Sequence, residues 1–282
     1  MPTFDTPEPI SVTVEFGVGD LRIVASDRTD TMVEVRPSDA AKKADVTAAE
    51  QTRVEYTGGR LLIKAPKNWR QLTWRGDGES IDVQVELPAG SHLRGETGVA
   101  ALRCQGRLGE CRYKTGVGDV QLDQAVAVQL RTGVGDLTVE QADGDAELTT
   151  GSGSVRIDRV GGAAVVKNSN GDTWIGEVTG DLRVNAANGN ISIDCADADV
   201  NASTANGDVR VGGVRRGSAS LKTSLGEIEV GIQAGTAARL DVHTQFGHIR
   251  NQMDASDGPA PTDQTVEVRA RTSYGDIVIH RS

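Results

Sequence analysis

The chain has 282 residues, a net charge of −10 and a hydrophobic fraction of 37%. It is long enough for one long domain or two ordinary ones, and too hydrophobic to be a disordered chain. The acidic balance disfavours direct binding to nucleic acid or to an anionic membrane surface. Glycine is abundant at 34 residues and aromatic residues make up only 3%, which favours short strands joined by tight turns over a bulky α/β core.

The cysteines and the N-terminus predict a compartment. Cys104, Cys111 and Cys195 are an odd number in a chain of this length, which indicates reduced thiols. Residues 1–10 have neither the basic start nor the apolar run of a signal peptide. No stretch approaches the ~20 apolar residues of a membrane span. We therefore expect a cytoplasmic protein without a membrane span.

Residues 1–95 predict an irregular, β-rich region that caps the rest of the chain. Apolar and polar residues alternate there, as in strands with one buried face. Thr57-Gly-Gly-Arg60 is a hairpin signal between two such strands. Residues 39–50 form the one plausible helix, polar enough to lie on the surface. The predicted strands are 10–16, 17–24 after a turn, 31–35, 54–56, 61–64 and 81–88.

From about residue 96 onward one motif recurs, most clearly in the nearly identical segments 114–122 and 131–139. The second glycine of each copy marks a register with steps of 17, 18, 18, 18, 18, 19, 21 and 28 residues. Aspartate often follows that glycine, and both residue types are typical of tight turns. We predict structural turns at Gly118, Asp119, Gly135, Asp136, Gly153, Gly171, Asp172, Gly189, Gly207, Asp208, Gly226, Gly275 and Asp276.

The positions around each turn glycine predict strands. Positions two and four after it are mostly apolar, the position between them is mostly polar, and positions seven and five before it are mostly apolar. This period-2 pattern indicates two short strands per repeat, each with one buried face. One repeat cannot bury that face alone, but stacked repeats share a continuous core. We predict an all-β, single-handed parallel β-helix, or β-solenoid, over residues 96–282, with coils of ~18 residues and an inserted polar loop at 251–264.

Two other folds also have 18-residue coils, and neither matches. The left-handed hexapeptide helix requires an apolar residue every six positions, yet the position six after Leu137 is Asp143. The calcium-binding nonapeptide roll requires its Gly-Asp motif twice per coil. Here the other half of each coil carries different residues, such as Leu148-Thr-Thr150.

The repeated motif Thr-Gly-x-Gly-Asp, seen at 115–119 and 132–136, resembles a bacterial family when taken with Val83-Gln-Val-Glu-Leu-Pro88 and the closing segment 271–279. It is similar to the β-strand-repeat proteins of the DUF4097 type, which are proposed adhesins. The resemblance covers the chain from about residue 10. It implies a β-helix, taken as right-handed, without an established catalytic site. Some relatives carry membrane segments and are linked to envelope-stress responses.

The column of residues that follows the turn glycines has two interpretations. Its carboxylates could hold cations or meet a basic partner, or they could close the turns by bonding to their own backbone. Interruption by Ser154, Asn190 and His248 favours the second. Three asparagines precede successive turn glycines, and they are expected to form a hydrogen-bonded ladder or to favour the turn conformation: Asn170, Asn188 and Asn206.

No group of residues predicts catalysis, a metal or a cofactor. Neither the cysteines nor the four histidines, His92, His243, His248 and His280, show zinc-site spacing. Cys104 and Cys111 fall in inward columns, where small buried hydrophobes are expected rather than a nucleophile or a redox pair. The Gly-x-Gly runs precede strands, whereas a phosphate-binding loop precedes a helix.

Residues 66–78 break the pattern and hold two of the three tryptophans, interleaved with arginine. Trp69, Arg70, Trp74 and Arg75 are the best candidate for partner binding, because tryptophan and arginine are enriched in hot spots. The alternative is a loop or hairpin whose tryptophans cover an open end of the solenoid.

Three hypotheses follow for function. The first is a non-catalytic β-solenoid that acts as a protein-interaction scaffold of unknown specific role and needs no cofactor. The second is a structural element that self-associates end to end through exposed terminal strands. The third is a cell-surface adhesin or carbohydrate-binding protein.

Overall fold

The computed structural model describes residues 2–66, 79–253 and 264–282 and is nearly all β. It divides into two compact units, residues 1–140 and 141–282. The predicted β-solenoid is confirmed, because strands one coil apart pair in parallel. In the second unit Val155 pairs with Thr173, which pairs with Ile191, at an interval of 18 residues. The predicted boundary at residues 95 and 96 stays a prediction.

The elements of the two units have the following bounds. The first unit has α1 (Lys43–Gln51) and the strands β1 (Thr3–Asp5), β2 (Ser11–Ser26), β3 (Asp30–Pro37), β4 (Arg53–Thr57), β5 (Arg60–Lys64), β6 (Ile81–Pro88), β7 (His92–Val117) and β8 (Val120–Val134). β9 (Leu137–Ala142) runs across the division. The second unit has β10 (Ala146–Ser152), β11 (Val155–Val160), β12 (Ala164–Asn170), β13 (Thr173–Val178), β14 (Leu182–Asn188), β15 (Ile191–Ala196), β16 (Val200–Ser203), β17 (Val209–Val214), β18 (Gly217–Lys222), β19 (Ile228–Ile232), β20 (Thr236–Phe246), β21 (Ile249–Asn251), β22 (Gln264–Tyr274) and β23 (Ile277–Arg281).

In the first unit the single strand β2 bends and so forms both halves of one coil. One edge of β2 pairs in parallel with β7, and the other edge pairs in parallel with β5 and β6. β4 and β3 then pair antiparallel with β5 and β6, and β1 pairs antiparallel with β3. Residues 17–24, predicted as a separate return strand, instead continue β2 around a corner at Gly19, where φ is 142°.

Several local predictions in this unit are confirmed. β4 and β5 form the expected hairpin, with φ of 56° and 76° at Gly58 and Gly59. The predicted strand at 81–88 is β6, and the predicted helix is α1, shorter by four residues at its start. α1 lies against β3 and β6.

The inward columns form a dry core in the second unit. Val166, Ile175 and Val184 are completely buried, while the residues between them on the strands face outward. Burial of apolar area contributes about 25 cal/mol per Å², so each coil depends on its two neighbours for stability. No helix among the described residues has the length and apolarity that crossing a bilayer needs.

The last coils of the second unit do not stack in chain order. β22 pairs with β18 on one side and with β20 on the other, and β23 lies in the same way between β19 and β21. The C-terminal coil is therefore an inner one, and the coil of β20 and β21 is the terminal one. The inward residues explain this order: Ile277 and Ile279 are fully buried, whereas the preceding coil has Asn251 in the same column.

Candidate functional site: the turn column and the terminal coil

The predicted turn glycines adopt a backbone conformation that other residues rarely adopt. All eight have φ between 132° and 150°. They also lie against the preceding coil: a Cβ on Gly171 would be 2.2 Å from the carbonyl oxygen of Gly153, and one on Gly207 would be 2.2 Å from that of Gly189. Both the dihedral angle and the close approach require glycine.

The acidic column beside these glycines binds backbone of the adjacent coil. Asp172 Oδ1 accepts a hydrogen bond from the N–H of Asn190 at 2.8 Å, and Asp208 Oδ1 accepts one from the N–H of Glu227 at 2.8 Å. In the first unit Asp119 accepts in the same way from Asp136. These bonds join adjacent coils, whereas the sequence predicted bonds from each side chain to the backbone of its own turn. Within the described residues no cluster of histidine, cysteine or carboxylate side chains is arranged to hold a metal.

Asp276 shows the electrostatic consequence of this arrangement. Its Oδ1 accepts a hydrogen bond from the backbone N–H of His248 at 2.8 Å, and its Oδ2 lies 3.0 Å from the guanidinium of Arg250. The backbone hydrogen bond, followed by these neighbouring charges, holds the pKa of Asp276 below its ordinary value. The carboxylate thus fastens the terminal coil to the coil beneath it.

A buried polar column, three residues before every predicted turn glycine except Gly189, has no counterpart in the sequence predictions. Thr204 Oγ1 donates to the carbonyl of Gly189 at 3.2 Å, and Thr223 Oγ1 donates to that of Gly207 at 2.9 Å. These hydroxyls satisfy carbonyls that the close stacking removes from water. The signal was present as the threonine of each Thr-Gly-x-Gly-Asp motif.

The asparagines form the hydrogen-bonded ladder. Asn188 Nδ2 donates to Asn170 Oδ1 at 2.8 Å, and Asn206 Nδ2 donates to Asn188 Oδ1 at 2.7 Å. Their own φ angles are negative, and the positive φ of each turn lies at the glycine that follows the asparagine. This ladder is structural and leaves few polar groups for a ligand.

Cys104 and Cys111 are buried in the core, which disfavours a nucleophilic role. Cys104 and Cys111 are 1% and 0% exposed, as the inward columns predict. Burial raises the pKa of the Cys104 thiol well above its ordinary value, so the nucleophilic thiolate is disfavoured.

The tryptophan and arginine cluster lies outside the described residues. Trp69, Arg70, Trp74 and Arg75 belong to the segment 67–78, and most of the predicted loop 251–264 falls in 254–263. Their roles therefore stay predictions.

The terminal coil is the part of the second unit that departs most from a closed core. Among the described strands β20 pairs only with β22 and β21 only with β23, so their other edges are unpaired. Its inward column is open: Ile249 is 45% exposed, whereas Ile277 in the adjacent coil is fully buried. Leu240 and Val242 are likewise half-buried.

An apolar ladder runs along the turn edge to this coil. Phe246 stacks on Tyr274 with ring centroids 4.8 Å apart and an interplanar angle of 9°. Tyr274 in turn bridges to Leu225 in the next coil. Phe246, Tyr274 and Leu225 are each more than half exposed. Unpaired strand edges beside an exposed aromatic face are features of a binding surface, and we call β20, β21 and Phe246 the terminal surface.

Comparison with solved structures gives neighbours of low similarity. A proposed adhesin from Parabacteroides merdae is 14% identical over 80% of this chain and 93% of its own, with a TM-score of 0.46. A proposed cell adhesion protein from Clostridium sporogenes is 11% identical over 100% and 98%, with a TM-score of 0.29. A proposed lipid-binding protein from Parabacteroides distasonis is 12% identical over 100% and 95%, with a TM-score of 0.28. These likenesses are too weak to carry an argument about function.

Comparison with curated proteins gives no match. The family described as Toastrack DUF4097 matches residues 10–280, which is nearly the whole chain. The matched residues begin where the resemblance based on the repeated turn motif begins, at about residue 10. The chain belongs to the Toastrack DUF4097 family.

Proposed function

We propose that this chain is a non-catalytic binding protein that acts as a protein-interaction scaffold, and that its partner adds as a β-strand to the terminal surface. The observation that supports the proposal is the edge of β20, to which no other described strand pairs, beside a half-open core column. In strand addition, main-chain hydrogen bonds supply affinity and alternate side chains supply specificity. An apolar side chain of the partner would cover Ile249, and an aromatic ring would stack on Phe246.

The edge of β20 lacks the usual protection against such pairing. Natural edge strands are short, or carry lysine, proline or an inward-pointing charge. β20 has eleven residues with neither lysine nor proline, and its half-buried positions include Leu240 and Val242. Its charged residues, Arg239 and Asp241, are exposed on the outer face.

A matched pair of substitutions tests the proposal. Val242→Lys places a charge in the inward column of the edge strand, whereas Gln245→Lys adds the same charge at an exposed position of the same strand. We expect Val242→Lys to reduce the amount of specific protein captured from a native lysate at least about tenfold, and Gln245→Lys to leave it unchanged. Far-UV circular dichroism checks that both variants are folded. Equal capture by Val242→Lys and the unsubstituted protein would contradict the proposal.

A second function, self-association, is favoured by the charge order in β20. If two copies pair antiparallel about Leu240, Arg239 of each copy lies opposite Asp241 of the other, and oppositely charged cross-strand pairs stabilise a sheet. Arg239→Asp would then place two carboxylates opposite each other. Light scattering over about a hundredfold range of concentration tests this alternative. A concentration-dependent dimer that Arg239→Asp dissolves supports it, and a monomer throughout excludes it.

The proposal retains the predicted cytoplasmic location and the predicted role of the tryptophan cluster. Cell fractionation tests the location, because recovery of the native protein at the cell surface would favour an adhesin or carbohydrate-binding protein. Capture by a Trp69→Ala and Trp74→Ala variant tests the cluster separately from the terminal surface. An unchanged partner set would exclude those tryptophans as the binding site.

A further inference from the structure

The first unit carries a basic face on an otherwise acidic protein. The outward side chains of β2, β4, β5, β7 and β8 on one half of the coils form three rows across the sheet. Seven of them are basic, four are acidic, and the face therefore has a net charge of +3. The basic residues are Arg53, Arg60, Lys64, Arg94, Arg112, Lys114 and Arg131. The acidic residues are Glu15, Glu55, Glu96 and Glu110.

Each acidic side chain of this face forms an ion pair with a basic side chain of the same face. Arg53 pairs with Glu55, Lys64 with Glu15 at 2.8 Å, Lys114 with Glu96 at 3.4 Å and Arg112 with Glu110 at 2.5 Å. Arg94 has no acidic side chain within ion-pair distance among the described residues, and it is exposed. The positive charge of Arg94 is therefore not neutralised by a described carboxylate of the face.

Four of these basic side chains line a shallow cleft of about 410 Å³. Its basic lining residues are Arg94, Arg112, Lys114 and Arg131. Glu15 and Glu96 also line it, each paired with a lysine.

The spacing of the four cations matches an extended peptide. Arg94 and Arg112 stand in one row, on segments of β7 one coil apart, and Lys114 pairs with Arg131 in the next row. Adjacent strands are about 4.8 Å apart, and rows two residues apart along a strand are about 6.7 Å apart. Alternate side chains of an extended peptide have the same spacing of about 6.7 Å, and arginine binds carboxylates through paired hydrogen bonds.

We propose that this cleft is a second binding site, separate from the terminal surface, that takes an extended acidic peptide segment of a protein partner. Alternate carboxylates of the segment lie over the row of Arg94 and Arg112 and over the row of Lys114 and Arg131. A short peptide contacts only the basic face. A membrane or a nucleic acid presents an extended anionic surface, which the net charge of −10 repels.

Binding of a fluorescent peptide of alternating glutamate and serine, measured by anisotropy, tests the proposal. The test variant is Arg94→Glu with Arg112→Glu. The control is Lys167→Glu with Arg183→Glu, which makes the same charge change at two exposed outward positions of β12 and β14. We expect the test variant to bind at least about tenfold more weakly, the control to stay within about twofold, and binding to weaken as salt rises.

Two further measurements test whether free phosphate or an anionic membrane binds the cleft in place of the peptide. Inorganic phosphate at the carboxylate concentration of the peptide should not displace it, and vesicles with anionic lipids should not sediment the protein. Equal loss in the test and control variants, displacement by phosphate alone, or vesicle binding abolished by the test variant would each overturn the proposal. Neither set of substitutions touches β20, so this result is independent of the one for the terminal surface.

Discussion

Alanine at Gly171 combines two kinds of damage that a turn glycine prevents. The residue has a φ of 132°, which side-chain-bearing residues rarely adopt, and its added Cβ would lie 2.2 Å from the carbonyl oxygen of Gly153. That oxygen is backbone of the preceding coil, so the contact is relieved only by separating two coils locally by about 1 Å. Gly235 provides a control in the same unit, because its φ is 81° and a Cβ there would meet nothing within 4 Å.

The expected cost follows from these two contributions. The unusual backbone conformation costs about 1–3 kcal/mol. Separating the coils weakens the hydrogen bonds from Gly153 N to Asn170 O and from Val155 N to Asp172 O, both 2.9 Å long, at about 1 kcal/mol each. Gly171→Ala should therefore lower the free energy of unfolding by about 3–5 kcal/mol, the sum of these two costs. Gly235→Ala should lower it by about 1–2 kcal/mol.

Urea unfolding followed by far-UV circular dichroism measures both losses. A stability of about 5–15 kcal/mol is typical for a natural domain, so the difference between the two variants is large enough to resolve. If Gly171→Ala loses no more stability than Gly235→Ala, coil-to-coil contact is not what requires glycine in this column.

Three further predictions concern single positions. Asn168 is buried, donates to the Gly153 carbonyl and, among the described residues, has no hydrogen-bond partner for its Oδ1. Asn168→Thr should therefore stabilise the fold by about 1 kcal/mol, and Asn168→Val should destabilise it by about 1–3 kcal/mol. Equal midpoints of urea unfolding for the two variants would refute this prediction. The lowered pKa of Asp276 means that its stabilisation is present above the ordinary pKa of 3.8 and is lost as pH falls below it. Unfolding midpoints at pH 7 and pH 3 should therefore differ less in Asp276→Asn than in the unsubstituted protein, and an equal difference would contradict the assignment. An aromatic disulfide reagent should label half-buried Cys195 in the native state and label Cys104 only after unfolding; equal labelling rates would show that the core opens.

The repeat could be predicted from sequence because two constraints act on the same positions in every coil. Glycine is required where the chain turns against the preceding coil, as at Gly171, and apolar residues are required at the inward positions, as at Ile175 and Ile193. The buried threonines are harder to interpret. The role of Thr204 becomes clear only when the carbonyl of Gly189 is found in the preceding coil.

The order of coils and the binding surfaces depend on pairing that sequence spacing does not encode. Asn251 in an otherwise apolar column was the one signal that β21 ends the stack. The basic face brings together residues from Arg53 to Arg131, which are dispersed along the chain and adjacent only through parallel pairing. The net charge of −10 for the whole chain gives no indication of this local cluster of basic residues. Trp69 and its neighbours could be predicted as a binding site from their unusual composition alone, which requires no knowledge of strand pairing.

Amide hydrogen exchange of β20, with and without a captured partner, tests whether the partner adds as a strand to its edge. Unpaired edge amides exchange readily, and a strand added to the edge protects every second one through new main-chain hydrogen bonds. We expect a bound partner to slow exchange at alternate residues of β20 and to leave exchange in the inner strand β14 unchanged. A partner that binds without slowing exchange anywhere in β20 would contradict it.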